Sequence, residues 1–74
     1  RISETLLLLA NEQGAETEEG VVISNRPTHQ ELANMSGTTR ETVSRVLKRL
    51  EIQGYISCKG RKITILREEN WNRQ

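Results

Sequence analysis

The chain has 74 residues, 34% of them apolar, and carries eleven Lys and Arg against ten Asp and Glu, a formal net charge of +1. A chain this short folds around one small core, which excludes a second domain; no apolar run nears the roughly 18 residues of a membrane span, and the Leu6 to Leu9 run follows Glu4, which argues against a signal peptide. The single cysteine, Cys58, has no second Cys and no nearby His at metal-ligand spacing, so it predicts neither a disulfide nor a metal site and suits a reducing, cytoplasmic setting.

Ile2, Leu6, Leu9 and Ala10 recur at helical spacing, with Leu7 and Leu8 widening the apolar face, which predicts a first helix over about 2–13, stopped at Gly14. The pattern is already helical next to Arg1, which predicts a piece cut from a longer chain. The acidic, small stretch from Gly14 to Gly20 reads as a loop, and the β-branched run Val21, Val22 and Ile23 as a brief strand. Asn25, Arg26 and Pro27 break the chain. Thr28 followed by Glu31 is then a capping-box signature, opening a short second helix that carries Leu32, Ala33 and Met35 inward. Gly37 is placed to take the positive φ of a sharp turn between helices.

The third helix opens at Thr38, which would form a second capping box with Glu41, or at Thr39, which would cap directly before Arg40. Val43, Val46, Leu47 and Leu50 follow i, i+3, i+4, i+7, while Glu41, Ser44, Arg45 and Lys48 repeat that spacing on the other side. Gly54 ends it. The runs 55–59 and 62–66 flank Gly60 and Arg61 at hairpin spacing, with Ile63 and Ile65 turned to the core; Tyr55, like Met35, is expected in the core as well. After Arg67 only Trp71 breaks a patternless tail, which is expected to fray or to pack through that ring.

Charge divides along the chain. Residues 1–39 carry Arg1 and Arg26 against six glutamates, a net of −4, whereas residues 40–67 carry eight basic side chains against Glu41 and Glu51, a net of +6. A helix, a tight Gly turn, an amphipathic helix and a basic hairpin together form the layout of a winged helix-turn-helix, mainly α with a small antiparallel sheet. In that layout the second helix of the pair enters the major groove of DNA and its first residues reach base edges. Arg40, Glu41, Ser44 and Arg45 supply suitable groups: a guanidinium is bidentate toward guanine, a carboxylate accepts from cytosine N4, and a short hydroxyl bonds either base or phosphate. Three rivals stand beside this reading. The polar face could be a solvated surface with an i,i+4 pair from Glu41 to Arg45, the domain could be a winged-helix module for protein partners, or it could be a DNA-binding winged helix with a different wing and half-site. The caps, the Gly turn, the charge division and the basic hairpin favour DNA in combination. No phosphate loop, nucleophile motif or metal spacing points to an enzyme, and His29 in its capping turn reads as a surface or phosphate-adjacent residue.

The run THQELANMSGTTRETVSRVLKRL from Thr28 to Leu50, continued by GYISCKGRKITI from Gly54 to Ile65, resembles the DNA-binding domain of the catabolite activator and fumarate-nitrate regulator (Crp/Fnr) family. The resemblance implies that Arg40, Glu41 and Arg45 fall on positions that read bases in TGTGA-like half-sites. The spacing of Glu41, Ser44 and Arg45 is that of the fumarate-nitrate branch, which adds Ser44 to the base-reading set. Gln30, Thr39, Thr42, Lys59 and Arg61 fall on positions associated with the phosphate backbone, and Thr28 is grouped with them. The family further implies a homodimer reading a palindrome, with a sensor domain and a dimer helix ahead of this one. An effector such as a cyclic nucleotide, a haem-bound gas or an iron–sulfur cluster would belong to that missing part, and no cofactor is expected in these residues. The stretch from Glu16 to Asn25 aligns with a surface that contacts RNA polymerase in some activators, though a solvated acidic loop fits it equally.

Overall fold

The computed structural model describes residues 1–67, so Trp71 and the tail reading lie outside the described residues. Seven elements follow in order: α1 (Ile2–Gln13), β1 (Ala15–Glu16), β2 (Gly20–Ile23), α2 (His29–Ser36), α3 (Arg40–Ile52), β3 (Ile56–Lys59) and β4 (Lys62–Leu66). The strands form one antiparallel sheet in the order β1-β2-β4-β3.

The apolar periodicities meet in one core. Ile2, Leu6 and Leu9 of α1, Leu32 and Ala33 of α2, Val43 and Leu47 of α3, and Ile23, Ile56 and Ile63 of the sheet are all buried. Register explains the sheet's share: Ile63 stands opposite Ile23 on one side and Cys58 on the other, and Ile65 stands between Val21 and Ile56, so one face of three strands is apolar. Burial of ten such side chains, each contributing about 1.5–3 kcal/mol for the larger ones, is what orders so short a chain. Among the described residues no helix is long and apolar enough to cross a membrane.

The turn from α2 to α3 sets the angle on which the site depends. Gly37 takes φ 69° and ψ 39°, the left-handed conformation expected of it, and the Thr38 amide donates back to the Ala33 carbonyl at 2.9 Å. The Thr28 capping box forms with both of its bonds, Glu31 N–H to Thr28 Oγ1 and Thr28 N–H to Glu31 Oε1. For α3 the structure selects Thr39 over Thr38: its Oγ1 accepts from the Thr42 amide at 3.2 Å.

Several expectations need correction. Leu7 and Leu8 are 58% and 53% exposed, because α1 meets the core only along Ile2, Leu6 and Leu9, and each further residue turns about 100° away. Met35 is 50% exposed. The inward position of that turn belongs to Ser36, which is buried and shares a 2.9 Å hydrogen bond with Thr5 of α1. Gly14 to Gly20 is not a plain loop: β1 pairs with β2, Thr17 closes the turn onto the Gly20 carbonyl, and the Arg67 guanidinium donates to the carbonyls of Thr17 and Glu18. A two-residue strand carries no readable alternation, which is why composition alone suggested a loop. The end of α3, by contrast, is as expected: the helix closes at Ile52 with Gln53 as its cap, and Gly54 follows at φ 83°.

Candidate nucleic-acid interface

Beyond its cap, α3 presents Arg40, Glu41, Arg45 and Lys48 to solvent, while Val43 and Leu47 anchor the opposite side in the core. The four exposed side chains come from just over two turns, so their spacing is fixed by the helix rather than by a loop. Among the described residues Glu41 and Arg45 form no ion pair with each other; the Arg45 guanidinium instead stands 3.5 Å from Thr42 Oγ1, at the limit of a hydrogen bond. Both groups are therefore available to an outside partner. Thr42 is half-buried and takes a 2.9 Å bond from the Thr39 hydroxyl, which keeps these two hydroxyls together at the helix start.

Ser44 is placed differently from its sequence reading. It is half-buried on the flank that faces α2, and its hydroxyl lies 2.7 Å from Nδ1 of His29. The outer face expected to hold four base-reading groups thus holds three exposed ones, with Ser44 at its margin. His29 follows the Thr28 cap directly, and Gln30 beside it is exposed, donating to Asn34 Oδ1 at 3.2 Å.

The hairpin of β3 and β4 forms the wing. Lys59 pairs with Lys62 across the two-residue turn of Gly60 and Arg61, and all four are exposed. The Arg26 amide donates to the Arg61 carbonyl at 2.9 Å, which fastens the wing tip to the segment leading into α2. Arg26, Pro27, Thr28, His29, Gly60 and Arg61 consequently border one shallow depression. The α3 flank, the start of α2 and the wing tip form a single surface, joined through Ser44 and His29. Lys59 and Lys62 also border the sheet's outer face together with Glu18 and Glu19.

Cys58 lies within β3 of the wing, half-buried against the core. Burial and then Glu51 push its thiol above its ordinary pKa, against the opposing pull of Arg26, so the thiol stays protonated and weakly reactive. No group of three or more metal-ligating residues occurs among the described residues.

Two features escaped the sequence reading. The His29 to Ser44 bond spans 15 residues and the Arg26 tie spans 35, and neither separation leaves a periodic trace. Only the excess of polar hydrogen-bonding residues around the capping turn hinted that something beyond a cap was built there.

Comparison with known proteins agrees with this geometry. The family profile of the Crp-like helix-turn-helix domain matches residues 1–70. The cAMP-activated global transcriptional regulator CRP of Salmonella typhimurium is 44% identical over 66 residues, covering 88% of this chain and 30% of that protein. Among solved structures, the CO-dependent transcription factor CooA of Carboxydothermus hydrogenoformans superposes with a TM-score of 0.79 at 29% identity, over 88% of this chain and 30% of its own. A CRP/FNR-family transcriptional regulator of Thermus thermophilus does so with a TM-score of 0.76 at 37% identity, over 93% of this chain and 35% of its own. The chain spans about a third of the length of the relatives it matches. These relatives are transcription regulators rather than enzymes, and their winged helix-turn-helix is the fold described above. The chain belongs to the Crp-like helix-turn-helix family, as a DNA-binding domain of Crp/Fnr-type transcription regulators.

Proposed function

We propose that this domain reads one half-site of a palindromic operator in the bacterial cytoplasm, with the first half of α3 in the major groove and the wing against the backbone. One observation carries the reading: the start of α2, which Ser44 of α3 joins through His29, borders the same depression as the basic wing tip, fastened there by the Arg26 to Arg61 bond. Arg40 and Arg45 suit guanine O6 and N7, and Glu41 suits the cytosine amino group. Ser44 contributes from the margin of the same face. Thr28, Gln30, Thr39, Thr42, Lys59 and Arg61 surround it and suit phosphate oxygens, which position a protein without reading sequence.

In the longer regulator the same domain would occur twice, in a homodimer, with the two copies of α3 about 34–36 Å apart to match one helical turn of DNA. The effector belongs to the part of the regulator outside this chain. One relative is cAMP-activated and another CO-dependent, so similar domains accompany unlike signals. A polymerase contact through the Glu16 to Asn25 stretch would fall on the β1–β2 hairpin, whose exposed turn, Thr17 to Glu19, is acidic and accepts hydrogen bonds from Arg67.

Selection from a pool of random duplexes tests the proposal. Enrichment of a TGTGA-like or fumarate-nitrate-like half-site is the expected result. Binding without enrichment of any sequence would contradict it and favour a protein partner for this surface.

A further inference from the structure

Among the described residues the hydroxyl of Ser44 is the one base-capable group of α3 already engaged by another helix, through His29 at the start of α2. A serine hydroxyl has one hydrogen and two lone pairs, and on an open helix surface it rotates to suit donor or acceptor alike. Such a group discriminates little between bases. Bonded to Nδ1 at 2.7 Å, it loses that freedom. If Nδ1 is the unprotonated nitrogen, it takes the Ser44 hydrogen and leaves only lone pairs, which suit the amino groups of adenine or cytosine. If Nδ1 carries the proton, Ser44 spends a lone pair and keeps its hydrogen, which suits guanine or thymine oxygen. In the first arrangement the imidazole leaves one polarity on offer instead of two; in the second it leaves the hydrogen and one lone pair, and in both it fixes the directions in which they point.

The bond is not needed to dock the helices. Leu32 and Ala33 of α2 and Val43 of α3 are fully buried, and Gly37 sets the turn between the two elements. What the bond does fix is the orientation of Ser44, three residues from Glu41 and one from Arg45. We infer that His29 is a positioning residue for base recognition: it holds the Ser44 hydroxyl in one orientation at the edge of the recognition face, and thereby sharpens discrimination at one base pair of the half-site. This rests on α3 reading bases.

The test uses the 74-residue chain and the half-site obtained by selection, with each base pair changed in turn. Wild type should favour one base pair about fivefold at a single position through this hydroxyl, the effect of one net hydrogen bond, and Ser44→Ala should flatten that position alone. His29→Ala should flatten the same position and no other, and the double variant should be no worse than Ser44→Ala. His29→Asn places an amide where Nδ1 stood and should restore most of the preference. Melting curves of every variant show whether it is folded. The inference is overturned if His29→Ala weakens all sequences equally with the preference intact, or if Ser44→Ala alters no preference while Arg45→Ala does. Failure of selection to enrich any sequence would overturn the reading of α3 itself along with it.

Discussion

A methyl group at position 20 would strike the joint on which the wing hangs. Gly20 begins β2 at φ 153°, opposite Leu66 in β4, and a Cβ placed there would overlap the Ile65 carbonyl oxygen and fall 2.9 Å from its carbonyl carbon. Both obstructions are backbone, so no side-chain rotation relieves them and the two strands must part. Overpacking of this kind costs about 1–3 kcal/mol and the unfavourable φ another 1–3, a total of about 2–6 against a whole stability of about 5–15. At about 4–8 °C per kcal/mol for a domain of this size, Gly20→Ala should lower the melting temperature by at least about 10 °C. Gly60→Ala is the matched control: φ is 57° and no atom lies within 4 Å, so only the left-handed strain of about 1–2 kcal/mol applies. Thermal unfolding by circular dichroism would read both. If Gly20→Ala melts within a few degrees of wild type, or if Gly60→Ala is the worse of the two, the close approach of β2 to β4 is not as described.

Leu47→Asp should unfold the domain, since an unpaired charge at a 3% exposed site costs several kcal/mol, whereas Val46→Asp, at a half-buried site, should leave a folded protein with a lower melting point; circular dichroism distinguishes them. Thr28→Ala removes the capping box at the start of α2 and should cost about 1 kcal/mol in urea unfolding, with Thr28→Ser restoring most of it. Because the folded state holds the Cys58 proton more tightly than the unfolded chain does, stability is full below the ordinary thiol pKa and falls as the pH rises from there through the raised value. Urea midpoints for Cys58→Ala should therefore decline less at alkaline pH than those of wild type.

Where the sequence was legible, a strong local rule met no competitor. The 28–31 capping box, the left-handed Gly37, the Val43 and Leu47 stripe and the two-residue turn at Gly60 are each decided within a few residues, and each stands as expected. Illegible features depended on what lay across the fold. Leu7 and Leu8 look as apolar as Leu6, and only the narrow contact of α1 with the core separates them. Ser36 displaced Met35 from the interior because Thr5, 31 residues earlier, satisfies its hydroxyl. The same holds at the site. The exposure of Arg40, Glu41 and Arg45 followed from helical spacing, but the turning of Ser44 toward His29 is a tertiary event with no spacing signal.

The division of labour between α3 and the wing is tested most directly by binding isotherms on the selected half-site and on a scrambled duplex, each at several salt concentrations. Arg45 is exposed with only a marginal hydrogen bond to Thr42, so its removal should leave folding untouched and report on binding alone. Arg45→Ala should cost about 1–3 kcal/mol on the selected site and much less on the scrambled one. Lys59→Ala and Arg61→Ala should weaken both duplexes alike, and each should reduce the salt dependence by about one unit of slope, as expected when a single phosphate is no longer neutralised. If Arg45→Ala instead lowers both affinities equally, with a slope change matching that of Lys59→Ala, then α3 touches only the backbone and does not read the sequence.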